Sequence, residues 1–203
     1  MADTTTINAK DVKDLRDRTG AGMMECKKAL QETGGDVEKA IDWLRAKGAA
    51  KAAKRADKSA NEGVIGSYVH FDGKTAVIVE LNCETDFVAN TDGFRALAKD
   101  LALHIASAAP LAVSPDQIDP AIVEREREVY RQQVRDEGKP EHIAGKIVEG
   151  KLQKFYKESV LLAQAFVKDP DKTIEQLITE VSAKTGEKIE VARFARFKVG
   201  ERN

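Results

Sequence analysis

The sequence predicts an α+β protein: a head of three short helices, then a small antiparallel sheet of about three strands covered by helices. Three observations carry that prediction. Apolar residues recur with a helical period through the first fifty positions, the period changes to two at Val64, and the closing stretch "KIEVARFARFKV" alternates again. A two-stranded hairpin alone is marginal in water, so the last alternating stretch is expected to join it as a third strand.

In order along the chain, Asn8 is placed to cap a helix that carries Val12 and Leu15 on one face and closes at Gly20. A second helix begins near Gly22, sets Met23, Cys26 and Leu30 at i, i+3 and i+7, and ends at Gly34-Gly35. A third follows Asp36 as N-cap, bears Val37, Ala40, Ile41 and Leu44 on one stripe, and is expected to stop at Gly48. Three such helices can close one very small core, so residues 1–48 read as a module. "GAAKAAKRADKSANEG" follows, alanine-rich and without large apolar residues. Residues 49–61 therefore read as a basic helical linker in which Lys51, Lys54, Arg55 and Lys58 share a face. A solvated linker and a phosphate-binding stripe both fit it, but four cations without an interleaved aromatic are thin grounds for nucleic acid.

Residues 62–203 read as the α+β core. "VIGSYVHF" and "KTAVIVEL" alternate on either side of Asp72-Gly73, a hairpin signal. Thr91 can cap a helix with Phe94, Leu97, Ala98, Leu101 and Ile105 on one stripe, and Pro110 lies just past its end. Asp119-Pro120 opens another helix that runs to Gly138, and a further one starts near Pro140 with Ile143, Ile147 and Val148. "VLLAQAFV" reads as an extended apolar piece. Thr173-x-x-Gln176 is a capping box before Ile174, Leu177, Ile178 and Val181, and Gly186 ends that helix. Ile189 and Val191 share a face of the final strand. No second hairpin-plus-helix unit is legible after residue 110.

Composition narrows the function classes. A formal net charge of −1 sets up no global field toward DNA or an anionic membrane. Two distant cysteines, Cys26 and Cys83, make no metal-binding spacing and suit a reducing compartment. "MADTTTINAK" has neither a basic nor an apolar targeting segment, and no apolar run reaches membrane length. A cytoplasmic protein is expected.

Catalysis finds little footing. His70, His104 and His142 fall in three different elements and none has a metalloprotease or nucleophile spacing; His104 reads as a packed or surface helix residue. No phosphate-cradling glycine motif is present, and no cofactor is expected. Glu80, Glu84 and Asp86 share a parity, but the further oxygens that a Mg²⁺ or Ca²⁺ site needs are missing, so no metal is expected either. Cys83 has no cation near it in sequence to lower its pKa.

Phe87 in "LNCETDFVAN" is the more informative residue. An aromatic after a strand is ordinarily core. The Phe94 stripe already supplies the core aromatic, however, and a ring beside Asp86 on a tight loop fits an interface anchor. Met23 and Met24 are about 100° apart on a helix, so both cannot point fully inward, and one exposed thioether is expected there.

"LRDRTGAGMMECKKAL" and "VELNCETDFVAN" closely resemble the two signature stretches of the bacterial translation elongation factor Ts family, and "TGGDVEKAIDWLR", "GKPEHIAGKIVEGKL" and "RFARFKVG" extend the match from about residue 8 to residue 200. The resemblance implies a guanine nucleotide exchange factor for elongation factor Tu, engaged in its GDP-bound and nucleotide-free states, and not an enzyme. It implies a ubiquitin-associated-like fold for the three-helix head, which grips the GTPase's nucleotide-binding domain through positions matching Arg16, Met23, Met24 and Lys27. It implies an exchange loop at Thr85, Asp86, Phe87 and Val88, with the phenyl ring pushed toward the partner's Mg²⁺ and phosphate region. The chain lacks the second sheet-containing copy and coiled-coil insertion of longer members, so it resembles the short form, for which a homodimer is expected. No membrane and no direct nucleic-acid contact are expected. Two rivals stand beside this reading: an adaptor that uses only the helical head, and an RNA-associated factor that uses the basic linker.

Overall fold

A computed structural model describes residues 7–201. Residues 1–6, on which much of the expectation about targeting rests, lie outside the described residues. The chain forms two compact units: residues 7–63, 82–94 and 176–190 make the first, and 64–81, 95–175 and 191–201 the second.

The first unit opens with α1 (Ala9–Thr19), α2 (Met23–Glu32) and α3 (Val37–Ala53). Their boundaries follow from local chemistry. The Asn8 side chain accepts from the Asp11 N–H at 2.8 Å, and Gly20 takes the left-handed conformation that lets its N–H close α1 on the Arg16 carbonyl. Asp36 caps α3 by accepting from the Lys39 N–H at 3.1 Å. Val12, Leu15, Cys26, Ala29, Leu30 and Ala40 form the closed core of the three helices, with Ile41, Trp43 and Leu44 packed on it.

Two details differ from the sequence reading. Helix α3 does not stop at Gly48 but runs to Ala53. A helix-interior glycine costs only about 1 kcal/mol relative to alanine, the alanines beyond it are strong helix formers, and the missing side chain is useful: a Cβ there would lie 3.2 Å from the Ala183 methyl. One exposed thioether is expected from Met23 and Met24, and both are exposed, Met23 to 45% and Met24 to 75%. The buried side of α2 is made by Cys26, Ala29 and Leu30.

The second unit is built on a three-stranded antiparallel sheet of β1 (Glu62–Val69), β2 (Thr75–Cys83) and β5 (Glu190–Lys198), with β2 in the centre. The third strand therefore joins as expected. The β1–β2 connection is longer than the two-residue turn expected: the His70 N–H donates to the Thr75 carbonyl, and the Gly73 N–H to that of His70. Val77, Val79 and Leu81 are buried. So are Leu97, Ala98, Leu101 and Ile105 of α5 (Asp92–Ala108), as its stripe predicts.

After α5 come α6 (Pro120–Asp136, capped by Asp119) and α7 (Glu141–Ser159), a helical hairpin with its own core of Val134, Val148 and Leu152. The stretch read as simply extended contains a 3₁₀ turn, Leu161–Ala163, and then β3 (Ala165–Phe166) paired with β4 (Asp169–Thr173). Helix α8 (Ile174–Thr185) follows at once. A second, smaller hairpin-and-helix succession thus does exist. It escaped the sequence reading because "DPDKT" carries no alternation and a proline.

Candidate functional site

The stretch that reads as a tight loop is a single helical turn, α4 (Asp86–Ala89), immediately after β2. Thr85 is its N-cap: its hydroxyl oxygen accepts from the Val88 N–H at 3.4 Å. Asp86 occupies the first helical position, where a carboxylate meets the unsatisfied N–H groups. Ala89 is buried and anchors the turn, Val88 is half-buried, and Phe87 stands 82% exposed. Of the two readings the sequence left open for this ring, core or display, the fold gives display.

What holds the turn comes from far along the chain. One oxygen of the Glu187 carboxylate accepts from the Glu84 and Thr85 N–H groups, each at 3.0 Å, and the other accepts from the Thr85 hydroxyl at 2.6 Å. Reciprocally, the Glu84 carboxylate accepts from the Lys188 N–H at 2.6 Å and from the Arg55 guanidinium at 2.8 Å. The Lys188 N–H, and then Arg55, hold the Glu84 carboxyl below its usual pKa. The Cys83 thiol donates to the Thr85 carbonyl at 3.1 Å, and burial, reinforced by the Glu187 charge, pushes its pKa up. It is therefore a packed thiol and not a nucleophile. Glu187, Lys188 and Arg55 were not singled out as partners of this loop; at 102 residues' separation from Thr85, Glu187 leaves no local pattern to read.

The second predicted group lies on the helical head. Arg16 on α1 and Met23, Met24 and Lys27 on α2 are all exposed. They and the Phe87 turn belong to the same compact unit, on different elements. The basic face beyond them is partly neutralised: Lys51 pairs with Glu25, and Arg55 with Glu84.

His104 and Glu80 both have partners within the fold. His104 is fully buried; its Nδ1 accepts from the Val167 N–H at 3.3 Å, which leaves the Nε2–H to donate to Gln164 Oε1 at 3.0 Å. Glu80 pairs with Arg193. Among the described residues no group of three His, Cys, Asp or Glu is placed to hold a metal ion, and no helix is long and apolar enough to cross a membrane.

Comparison with known proteins gives one answer. The family model described as Elongation factor TS matches residues 5–201. The chain is 54% identical over 196 residues to elongation factor Ts of Geotalea daltonii, covering 97% of this chain and 91% of that one. It is 56% identical over 194 residues to that of Nitratidesulfovibrio vulgaris (96% and 97%) and 55% over 195 to that of Thermosipho melanesiensis (96% and 100%). These matches set the α+β fold and its displayed turn among the translation elongation factors. Within that class, the chain belongs to the elongation factor Ts family.

Proposed function

We propose that the chain releases GDP from elongation factor Tu, with Phe87 as the wedge and Arg16, Met23, Met24 and Lys27 as the grip. The observation that carries this reading is the Phe87 ring, 82% exposed on a one-turn helix whose entry and cap are held by hydrogen bonds at Glu84, Thr85 and Val88. A phenyl group left in water at such a rigid point is costly unless a partner receives it. GDP in a GTPase is held by Mg²⁺ and by backbone amides around its phosphates, in charge-assisted contacts that depend on geometry. A ring inserted beside them displaces those groups and weakens the nucleotide's hold. Linkage makes the effect reciprocal: a factor that lowers nucleotide affinity is itself expelled when nucleotide rebinds, so it turns over. No covalent bond changes in this chain, and it acts as an exchange factor in the cytoplasm without a cofactor of its own.

In this reading the domains divide the labour. Residues 1–48 grip the partner, 49–61 connect, and 62–203 carry the Thr85–Val88 loop. The flexible thioethers of Met23 and Met24 suit an adaptable contact. The basic segment is a poor nucleic-acid stripe, since two of its four cations already have carboxylate partners.

The chain also pairs with itself in this proposal. The outer face of the sheet leaves Ile65 and Val69 of β1, Ile78 of β2 and Phe197 of β5 exposed, an apolar patch of the kind that marks association. Light scattering behind gel filtration is expected to give a dimer at micromolar concentration for the wild type and a monomer for Ile78→Glu; a monomeric wild type removes the pairing.

Fluorescent-GDP release from elongation factor Tu, with excess GTP and catalytic amounts of this chain, tests the main reading. Phe87→Ala is expected to slow release at saturation, and Met23→Ala/Met24→Ala to raise the half-saturating concentration. No acceleration by the wild type sinks the exchange reading and favours the adaptor; acceleration with Phe87→Ala unimpaired sinks the wedge alone.

A further inference from the structure

We infer that Glu187 is the positioning residue for the wedge: it backs the Phe87 turn so that the ring meets its receptor already oriented. The inference rests on the exchange reading above and adds to it a residue outside the Thr85–Val88 loop.

A helix of four residues has no propagation stability of its own. With its ring 82% exposed, Phe87 also has little packing to fix its direction. The orientation of the ring must therefore come from the peptide planes just before the turn. Those are the ones Glu187 holds. Its Oε2 accepts from two successive N–H groups, of Glu84 and Thr85, each at 3.0 Å, and its Oε1 takes the single hydroxyl proton of Thr85 at 2.6 Å. With that proton committed, the lone pairs of the Thr85 oxygen are free to accept from the Val88 N–H, which is the cap of α4. The carboxylate thus fixes both the entry to the turn and the direction of the hydroxyl that starts it.

Glu187 is itself held in place. It follows Gly186, whose φ of 74° turns the chain out of α8, and its carbonyl accepts from the Ser182 hydroxyl at 2.5 Å. The neighbouring Lys188 N–H returns a bond to Glu84. Two chain segments are thereby locked at two successive positions from each side. A wedge backed this way delivers its contact energy to the partner instead of spending it on ordering its own loop.

The test uses the full-length chain and the GDP-release assay, with saturating rate and half-saturating concentration read separately. Glu187→Ala is expected to lower the saturating rate by about tenfold, the scale of losing charge-assisted bonds that set geometry, with a change under about threefold in half-saturating concentration because the methionine grip is intact. Glu187→Gln keeps the side chain's size and one acceptor oxygen, so it folds as the wild type does and falls between the two. In a Phe87→Ala background Glu187→Gln is expected to cost nothing further, since the wedge it positions is gone. In the free protein, NMR hydrogen exchange of the Glu84 and Thr85 amides is expected to accelerate in both Glu187 variants. An unchanged saturating rate in Glu187→Ala overturns the inference, as does an equal loss with and without Phe87, or unchanged amide exchange. If the wild type itself fails to release GDP, the exchange reading falls and the role in exchange with it, while amide exchange still decides whether Glu187 holds the turn.

Discussion

Gly66 lies directly under Ala98: a Cβ built on the glycine would sit 2.5 Å from the Ala98 carbonyl oxygen and 2.7 Å from its carbonyl carbon. Strand β1 and helix α5 meet there backbone to backbone, and no side chain can yield to make room. Gly66→Ala must push the two elements apart, and overpacking of this kind costs about 1–3 kcal/mol or more. Urea unfolding is expected to show a lower midpoint with an unchanged slope, while Gly93→Ala, where the added methyl meets open space, serves as the control.

Ala109 carries the opposite strain. It is the one non-glycine residue with positive φ (47°) among those described, and it sits between the end of α5 and Pro110. A side chain in the left-handed region costs about 1–2 kcal/mol, and the Ala109 methyl is exposed and contributes little packing. Ala109→Gly relieves that strain at the expense of about 0.4–1 kcal/mol of unfolded-chain entropy. The variant is expected to be more stable by up to about 1 kcal/mol, read as a raised melting temperature.

His104 makes the fold sensitive to mild acid. Burial pulls its pKa below the ordinary value, against a smaller opposing effect of the Gln164 hydrogen bond. The unfolded chain therefore takes up a proton first as pH falls. The stabilisation is fully present above the unfolded histidine pKa, about 6.5, and is lost progressively below it. Unfolding free energy measured between pH 7.5 and 5.5 is expected to decline, and the decline is expected to be shallower in His104→Gln; equal slopes would remove His104 as the cause.

The helical head separates stability from contact. Leu30 is fully buried among Leu15, Cys26 and Ala40, so Leu30→Ala leaves a cavity and costs about 2–5 kcal/mol. Met24, at 75% exposed, is expected to change stability by no more than about 0.5 kcal/mol when replaced by alanine. A thermal melt of both variants checks the contrast. A large loss in Met24→Ala would mean that this side chain serves the head's own packing and not a partner.

Most of the local structure was legible because its causes are local. Asn8, Gly20, Asp36 and Thr91 act within one helical turn of themselves, and the Phe94–Ile105 stripe needs only a surface to face. What escaped had distant causes. Gly48 looks like a stop until Ala183 is seen beside it. The β3–β4 pair has no alternation to announce it. At the candidate site, Phe87 is legible as a residue in need of explanation, yet Glu187, which holds its loop, carries no motif, and Arg55 reads only as one cation of the basic linker.

The distance between Thr85 and Glu187 also sets a schedule. The ribosome makes about 5–20 residues per second, so ~5–20 s pass between the emergence of the loop and that of the carboxylate 102 positions later that fastens it. Through that interval the nascent chain displays an aromatic turn with nothing behind it. The brace is thus made well after the ring it serves, so a chain cut short before Glu187 carries the ring but not the backing that makes it a tool.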